Sequence, residues 1–132
     1  MLKISSTFSG RERTIDFVLA RRATLREVQR GILPKSDVCD AQPELMRAAK
    51  HVGSKKDLPC PICSSETLVS VLYAFGAKLP AHGRCITNLR EVETLVSAGV
   101  PASIYQVEVC TECRWNHLER VITQLGDDEK TA

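Results

Sequence analysis

The chain has 132 residues, 43% of them hydrophobic, which fits one domain or two small lobes that share a core. Its longest stretches without a charged residue, 67–77 with 11 residues and 94–107 with 14, are both too short to cross a membrane. The first residues also contain no apolar signal region, so we expect a cytoplasmic protein without a membrane partner. In a reducing cytoplasm, the six cysteines are expected to be metal ligands or free thiols rather than disulfides.

The small net charge of +2 hides an uneven distribution along the chain. Residues 1–56 carry 12 Lys and Arg against 6 acidic residues, whereas 57–132 carry 6 against 10. A basic half indicates an anionic partner, although a merely solvated helical surface explains it equally well. The candidate partner-binding residues are four arginines that lie close together in this half: Arg21, Arg22, Arg26 and Arg30.

Segment 1–56 is predicted to form a basic helical lobe. Apolar residues at helical spacing predict a first helix over about 12–22. The sequence TLRE at 24–27 has the form of a capping box, in which a hydroxyl and a carboxylate satisfy exposed amides. It predicts a second helix over 25–31.

A third helix is predicted after Asp40, which can serve as its N-cap. Pro43 then lies in the first turn, where proline is tolerated, and Gly53 is expected to end the helix in the left-handed conformation. The sequence SKKDLP that follows is typical of a linker.

Segment 57–132 is predicted to be a zinc-ribbon-like antiparallel β lobe, which gives an α+β fold. Residues 67–75 and 103–109 are rich in β-branched and aromatic side chains and predict two strands. Residues 115–125 fit a strand or a helix, and we favour a strand. A helix over about 88–98 is predicted between the first two strands, because an asparagine and a glutamate three residues apart precede an apolar stripe.

Two Cys-x-x-Cys pairs dominate the second segment, CPIC at 60–63 and CTEC at 110–113, with 46 residues between them. Two residues between cysteines let a tight turn direct both thiolates at one ion, and four thiolates suit tetrahedral zinc. The predicted ligands of one structural Zn²⁺ are Cys60, Cys63, Cys110 and Cys113. Glycine often follows the second cysteine of such a turn, where positive φ is needed, but here those positions are Ser64 and Arg114.

A redox dithiol is the competing interpretation, because one such pair near a helix can have a lowered thiol pKa and exchange disulfides. Neither pair precedes an obvious helix N-terminus, and zinc thiolates can themselves be oxidised and release metal. Cys39 and Cys85 have no partner at ligand spacing and are expected to be free buried thiols.

The residues that follow the second pair are expected to surround the metal rather than bind it. Trp115 is predicted to cover the core near the metal, and Asn116 and His117 complete this outer group. His117 would pack beside Trp115 or bond a thiolate or a carbonyl, because four cysteines already fill a tetrahedron.

Four motifs, VCDAQPELMRAA, CPIC, YAFG and VEVCTECRWNHL, resemble a small, uncharacterised actinobacterial family of zinc-ribbon-like proteins, over about residues 11–126. The resemblance implies a bacterial cytoplasmic protein that ligates metal through Cys60, Cys63, Cys110 and Cys113. It implies no activity. The family pattern has glycine before the tryptophan, and Arg114 departs from it.

The function that these features favour is a non-enzymatic adaptor: zinc stabilises the β lobe and the basic lobe docks on an anionic surface. A complete cysteine set leaves no open metal position for catalysis, and no phosphate loop, zincin helix or catalytic triad is present in the sequence. We expect no small-molecule substrate. The partner is expected to be a protein or nucleoprotein complex of transcription or translation, with nucleic acid itself an open alternative. A second alternative is a thiol-based redox or zinc-release sensor, and a third is an enzyme with a shallow site at Asn116 and His117.

Overall fold

The computed structural model describes residues 12–81 and 83–124, in which three helices lie on one antiparallel sheet of six strands. In chain order, the elements are β1 (Glu12–Asp16), α1 (Val18–Gln29), α2 (Pro43–Val52), β2 (Ser54–Lys55), β3 (Leu68–Phe75), β4 (Arg84–Ile86), α3 (Leu89–Ser97), β5 (Ala102–Cys110) and β6 (Asn116–Gln124). The α+β prediction is therefore confirmed. Within these residues, no helix has the length and apolar character needed to span a bilayer.

The three predicted strands form the centre of the sheet as β3, β5 and β6. The strand order is β1-β6-β5-β3-β2, and the short β4 also pairs with β3. The segment predicted over 115–125, which fitted a strand or a helix, is a strand over Asn116–Gln124, because β6 pairs with β5 on one side and β1 on the other; residue 125 lies outside the described residues. The register of β5 against β6 shifts at Gln106 and Val107, a bulge that locally changes the pairing.

Successive side chains of the central strands point to opposite faces of the sheet, and both faces are covered. On one face, α2 packs in a cluster of buried residues: Met46, Ala49, Val71 and Val109. On the other face, α3 covers one end, in a cluster with these buried members: Leu72, Ala74, Ile86, Val92, Ile104 and Ile122. The far end of that second face holds the two cysteine turns together with part of α1.

The predicted helices 12–22 and 25–31 are wrong in their bounds. Glu12–Asp16 is an edge strand, because its backbone pairs with β6, and this tertiary pairing overrides the local helical spacing. A single helix, α1, then runs through the TLRE sequence at 24–27. The capping box is not used, since Thr24 lies inside a continuous helix whose amides already bond to preceding carbonyls.

The third predicted helix exists as α2, with Pro43 as its first residue, but its ends differ from the prediction. Gln42, not Asp40, is the N-cap, and it makes no side-chain capping bond. Gly53 has φ −67°, so it does not end the helix in the left-handed conformation. A Cβ on Gly53 would lie 2.5 Å from the Ala49 carbonyl oxygen and 2.7 Å from Val69 Cγ2, so close packing on β3 explains the glycine.

The helix predicted over 88–98 is confirmed as α3. Asn88 Oδ1 accepts a bond from the Arg90 amide at 2.9 Å, and the Asn88 amide donates to Glu91 Oε2 at 3.4 Å. The division of the chain into two segments at 56/57 stays a prediction. The two ends of the chain, 1–11 and 125–132, lie outside the described residues. The structure adds that β1 and β2, from the first segment, pair with strands of the second.

Candidate metal centre

The two Cys-x-x-Cys pairs form two turns with the same backbone hydrogen bonds. The turn at 60–65 precedes β3, and the turn at 110–115 joins β5 to β6. In the first, the Ser64 amide donates to the Cys60 carbonyl at 2.9 Å, and the Cys60 amide donates to the Ser65 carbonyl at 2.8 Å. In the second turn, the Arg114 amide donates to the Cys110 carbonyl at 3.1 Å, and the Cys110 amide donates to the Trp115 carbonyl at 2.8 Å.

Ser64 and Arg114, the positions where glycine is common, both have positive φ, at 66° and 73°. A residue with a Cβ in this conformation is strained by about 1–2 kcal/mol. The matching hydrogen bonds and the matching strain show that the two turns adopt one local structure.

The four Sγ atoms of these turns form one cluster. All of them lie within 4.8 Å of one another: Cys60, Cys63, Cys110 and Cys113. Two contacts bridge the turns, Cys60 to Cys113 at 3.6 Å and Cys63 to Cys110 at 3.6 Å. Four sulfurs 2.3 Å from a central ion would be about 3.8 Å apart in a regular tetrahedron. The residues present therefore fit a metal ion held by four thiolates.

Hydrogen bonds from backbone amides reach two of these sulfurs. The Ile62 amide donates to Cys60 Sγ at 3.4 Å, and the Glu112 and Cys113 amides donate to Cys110 Sγ at 3.4 Å. Amides directed at a sulfur favour its thiolate form, which is the form that binds metal.

The thiols of the cluster differ in acidity. Burial raises the pKa of Cys60 to about 11 and also raises the pKa of Cys113. A hydrogen bond with the Ser65 side chain, whose Oγ lies 3.2 Å from the sulfur, lowers the pKa of Cys63 to about 6. A bound divalent cation deprotonates its thiol ligands and offsets the repulsion among them, so metal binding and thiol ionisation are coupled.

Trp115 is fully buried in the cluster of residues that surrounds the two turns, where Cys60, Leu68 and Cys110 are also buried. Its Nε1 donates to Glu108 Oε2 at 2.6 Å, and its ring stacks on His117 at a centroid distance of 5.8 Å. The side chain thus packs in the same cluster as the cysteine turns and bonds to a buried carboxylate.

Asn116 and His117 form their hydrogen bonds with groups other than the sulfurs. Asn116 Nδ2 donates to Asp40 Oδ1 at 2.9 Å, and His117 Nδ1 lies 2.8 Å from the Leu118 carbonyl oxygen. Asn116 lines an open cleft of about 410 Å³ together with Glu44 and Tyr73, but His117 does not line it. The cleft therefore does not bring the two side chains together as the third alternative required.

The two remaining cysteines have different surroundings. Cys39 Sγ lies 3.7 Å from Cys113 Sγ, so it touches the sulfur cluster, which sequence spacing did not reveal. Its place next to the second turn arises from tertiary packing of the segment between α1 and α2. Cys85 is half-buried on β4, opposite Tyr73, in the cluster under α2.

The four candidate arginines do not share one face of α1. Arg21 Nη2 lies 2.9 Å from Glu108 Oε2 and its Nε 3.1 Å from the same atom, so Arg21 is part of an internal ion pair. Arg22, Arg26 and Arg30 are exposed.

Glu108 is the most buried member of a network of charged and polar side chains that sequence reasoning missed. It is only 1% exposed, and Lys56 Nζ donates to its Oε1 at 2.8 Å. Lys56 also pairs with Glu119, whose Oε2 accepts from Ser70 Oγ at 2.7 Å. A glutamate alternating with valines in VEVC could have indicated a buried acid, because β-strand alternation places it on the same face as Cys110.

Comparisons with known proteins agree with the resemblance seen in the sequence. Residues 8–132 match the model of a family of unknown function, DUF5318. The chain is 40% identical over 104 residues to an uncharacterized protein of Mycobacterium bovis, Mb0050, and to one of Mycobacterium tuberculosis, Rv0049, covering 79% of this chain and 76% of each relative. No solved structure matches the chain. On these matches, the chain belongs to DUF5318, a family of unknown function.

Proposed function

We propose that the four-cysteine cluster holds one structural zinc ion in a non-enzymatic adaptor protein. The observation that carries this proposal is the group of four Sγ atoms within 4.8 Å of one another. Four thiolates are a preferred set for tetrahedral zinc, and a complete set leaves no position for water or substrate. The ion would therefore contribute folding energy rather than chemistry.

The position of the cluster explains what this folding energy would stabilise. One turn leads into β3 and the other joins β5 to β6, so a shared ion fixes one end of the three central strands. Structural zinc can supply roughly 10–16 kcal/mol of apparent binding energy, which exceeds the net stability of many domains. We therefore expect the folded state of this small protein, in which the ion would hold the ends of the three central strands together, to depend on the metal.

The docking surface of the adaptor is proposed to be the exposed face of α1. The helix period places Leu25 and Val28 with Arg21 on the inner face, where the two apolar residues pack beside the cysteine turns. The same period places the following residues together on the opposite, exposed face: Leu19, Arg22, Arg26 and Arg30. Three cations around a leucine that is 76% exposed suit an anionic surface with an apolar centre.

The proposed partner is a protein or nucleoprotein complex, in the cytoplasm, with a negatively charged surface. Zinc ribbons recur in transcription and translation machinery, and this fold-level analogy supports the choice of partner class. Free nucleic acid is the less favoured partner, because aromatic residues make up only 5% of the chain and single-strand binding uses aromatic stacking.

Metal analysis of the reduced, folded protein tests the zinc site. We expect one zinc per chain by elemental analysis, and a large loss of thermal stability when a chelator removes it. A folded protein that contains no metal after expression with added zinc would contradict the proposal.

A charge-matched pair of variants tests the docking surface. In the first, Arg22, Arg26 and Arg30 are all changed to Gln; the control changes three exposed cations elsewhere, Arg47, Lys50 and Arg90, to Gln. Partners purified with the tagged protein from its native host, and the binding of short RNA and DNA measured at several salt concentrations, are compared between the two. We expect the α1 variant to lose a partner that the control retains. If both variants keep every partner, the basic face is only solvated.

A further inference from the structure

Cys39 is held beside the second cysteine turn by hydrogen bonds on both sides of it. The Asn116 amide donates to the Val38 carbonyl at 3.3 Å, and the Ala41 amide donates to the Arg114 carbonyl at 3.1 Å. The side chains of Asp40 and Asn116 add a bond at 2.9 Å. The contact between Cys39 and the turn is therefore built into the fold.

The sulfur of Cys39 lies as close to the cluster as the cluster's own members lie to one another. Its distance of 3.7 Å to Cys113 Sγ compares with 3.6 Å between Cys60 and Cys113. Yet Cys39 does not belong to the group whose sulfurs all lie within 4.8 Å of one another. It is a fifth thiol that touches one proposed ligand from outside the tetrahedron.

We propose that Cys39 and Cys113 form a disulfide when a hydroperoxide oxidises the site, which makes this pair a redox modification site. Both side chains are partly exposed, as is that of Cys63, whereas Cys60 and Cys110 are buried, so an oxidant in solvent can reach this pair. Of the three accessible thiols, Cys39 and Cys113 are the two whose contact, at 3.7 Å, joins a proposed ligand to a sulfur outside the tetrahedron. Cys39 also keeps its sulfur free of metal, whereas the other sulfurs would be engaged by the ion. This inference deepens the proposed metal site and rests on it for its consequence, the release of metal.

The reaction balances with a hydroperoxide as the two-electron oxidant. The Cys113 thiolate attacks the O–O bond, an S–O bond forms, and the leaving alkoxide or hydroxide takes up a proton to become an alcohol or water. The sulfur of Cys39 then attacks Cys113, an S–S bond forms, and the S–O bond breaks. The departing hydroxide takes the thiol proton of Cys39 and leaves as water.

Formation of the disulfide requires a short movement. A disulfide bond is about 2.0 Å long, so the two sulfurs must approach by about 1.7 Å from their separation of 3.7 Å. Cys39 lies in the connection between α1 and α2 and outside both helices, so a side-chain rotation with a small shift of that connection can supply the movement. Cys113 then no longer binds metal, and three thiolates remain to hold the ion.

Disulfide mapping after treatment with hydrogen peroxide tests the assignment. The zinc-loaded protein is oxidised, its free thiols are alkylated, and it is cleaved after glutamate, because Glu112 separates Cys110 from Cys113. Zinc release is followed with a chromogenic chelator. The variants are Cys39→Ala and, as a matched control, Cys85→Ala, which removes the thiol that lies away from the cluster.

We expect a Cys39–Cys113 cross-link in the wild type and in the control, and loss of this cross-link with slower zinc release in Cys39→Ala. A cross-link between Cys60 and Cys113, or between Cys63 and Cys110, in place of the expected one would overturn the inference. So would equal zinc release from the two variants. The metal content measured before oxidation tests the proposed zinc site by itself. The disulfide mapping tests the Cys39–Cys113 pair independently, because it can be carried out with or without metal.

Discussion

Replacement of Glu108 by Gln is the change that best tests the physical basis of this fold. The glutamate is 1% exposed, and three groups donate to its carboxylate: Arg21, Lys56 and the indole of Trp115. Glutamine has nearly the same shape but carries no charge, and its NH₂ group would face a cation. The variant therefore removes the charge from the network while keeping the packing.

The expected loss of stability is about 3 kcal/mol. Removing one partner of a buried ion pair costs about 3–5 kcal/mol, because the other charge is left uncompensated. The lower end applies here, since Lys56 keeps Glu119 and the Arg21 side chain is 26% exposed and can reach water. Net stabilities of about 5–15 kcal/mol are usual, so the variant should still fold, with a midpoint of thermal unfolding lower by roughly 10 °C.

The effect should depend on pH in a defined direction. Burial by itself would raise the pKa of Glu108, but hydrogen bonds from Lys56, Trp115 and Arg21 outweigh it and lower that pKa below its usual value of 4.5. Because the folded-state pKa is lowered, the ionised carboxylate stabilises the fold at pH values above 4.5. This stabilisation is lost as the pH falls through the lowered pKa.

Chemical denaturation of wild type and Glu108→Gln at several pH values measures the difference in the free energy of unfolding. The control is Glu112→Gln, an exposed glutamate in the second cysteine turn, which should change stability by about 0.5 kcal/mol or less. We expect a constant difference between about pH 5.5 and 7 that shrinks below pH 4.5. A Glu108→Gln variant as stable as the control at pH 7 would refute the role of the network.

Three further changes test the cysteine turns. Serine at Cys60 or Cys110 should abolish tight metal binding, because three thiolates hold zinc less well than four. Elemental analysis should then find no bound zinc, and thermal scans should show the unfolding midpoint of the metal-free protein. Trp115→Phe should destabilise the protein by about 1–3 kcal/mol, measured by denaturation, because Glu108 loses a buried donor; the single tryptophan of the wild type should show a blue-shifted emission maximum. Arg114→Gly should raise the free energy of unfolding by about 1 kcal/mol in the same assay, because glycine adopts a φ of 73° without the strain that a Cβ introduces. An unchanged denaturation midpoint would contradict the backbone strain inferred at this position.

The cysteine turns and the central strands could be predicted because their signals are local. Two residues between cysteines fix a turn, and runs such as 67–75 alternate or are apolar throughout, as buried strands require. The helix at 89–97 was predictable for the same reason, since its cap and its apolar stripe lie within a dozen residues. These features need no knowledge of distant contacts.

The features that sequence reasoning missed depend on distant contacts. β1 is a strand only because the free edge of β6 is available, and β6 is more than a hundred residues away along the chain. Cys39 and Cys113 are separated by 74 residues, and Arg21 and Glu108 by 87. No local pattern marks such partners, although a charged residue inside a β-branched strand is a signal that a counter-charge must exist.

Arg21 connects the two parts of the proposed function. It was expected on the docking surface, yet it turns inward to Glu108, which also binds the indole of the second cysteine turn. The turn and α1 are therefore joined through one buried carboxylate, in addition to the apolar contacts of Leu25 and Val28. Loss of the metal would loosen the turn that positions Trp115, and the loosened turn would weaken the hold of Glu108 on Arg21. We therefore expect the exposed arginines of α1 to be correctly placed only while the sulfur cluster is intact, and on this basis we propose that metal binding and docking are coupled.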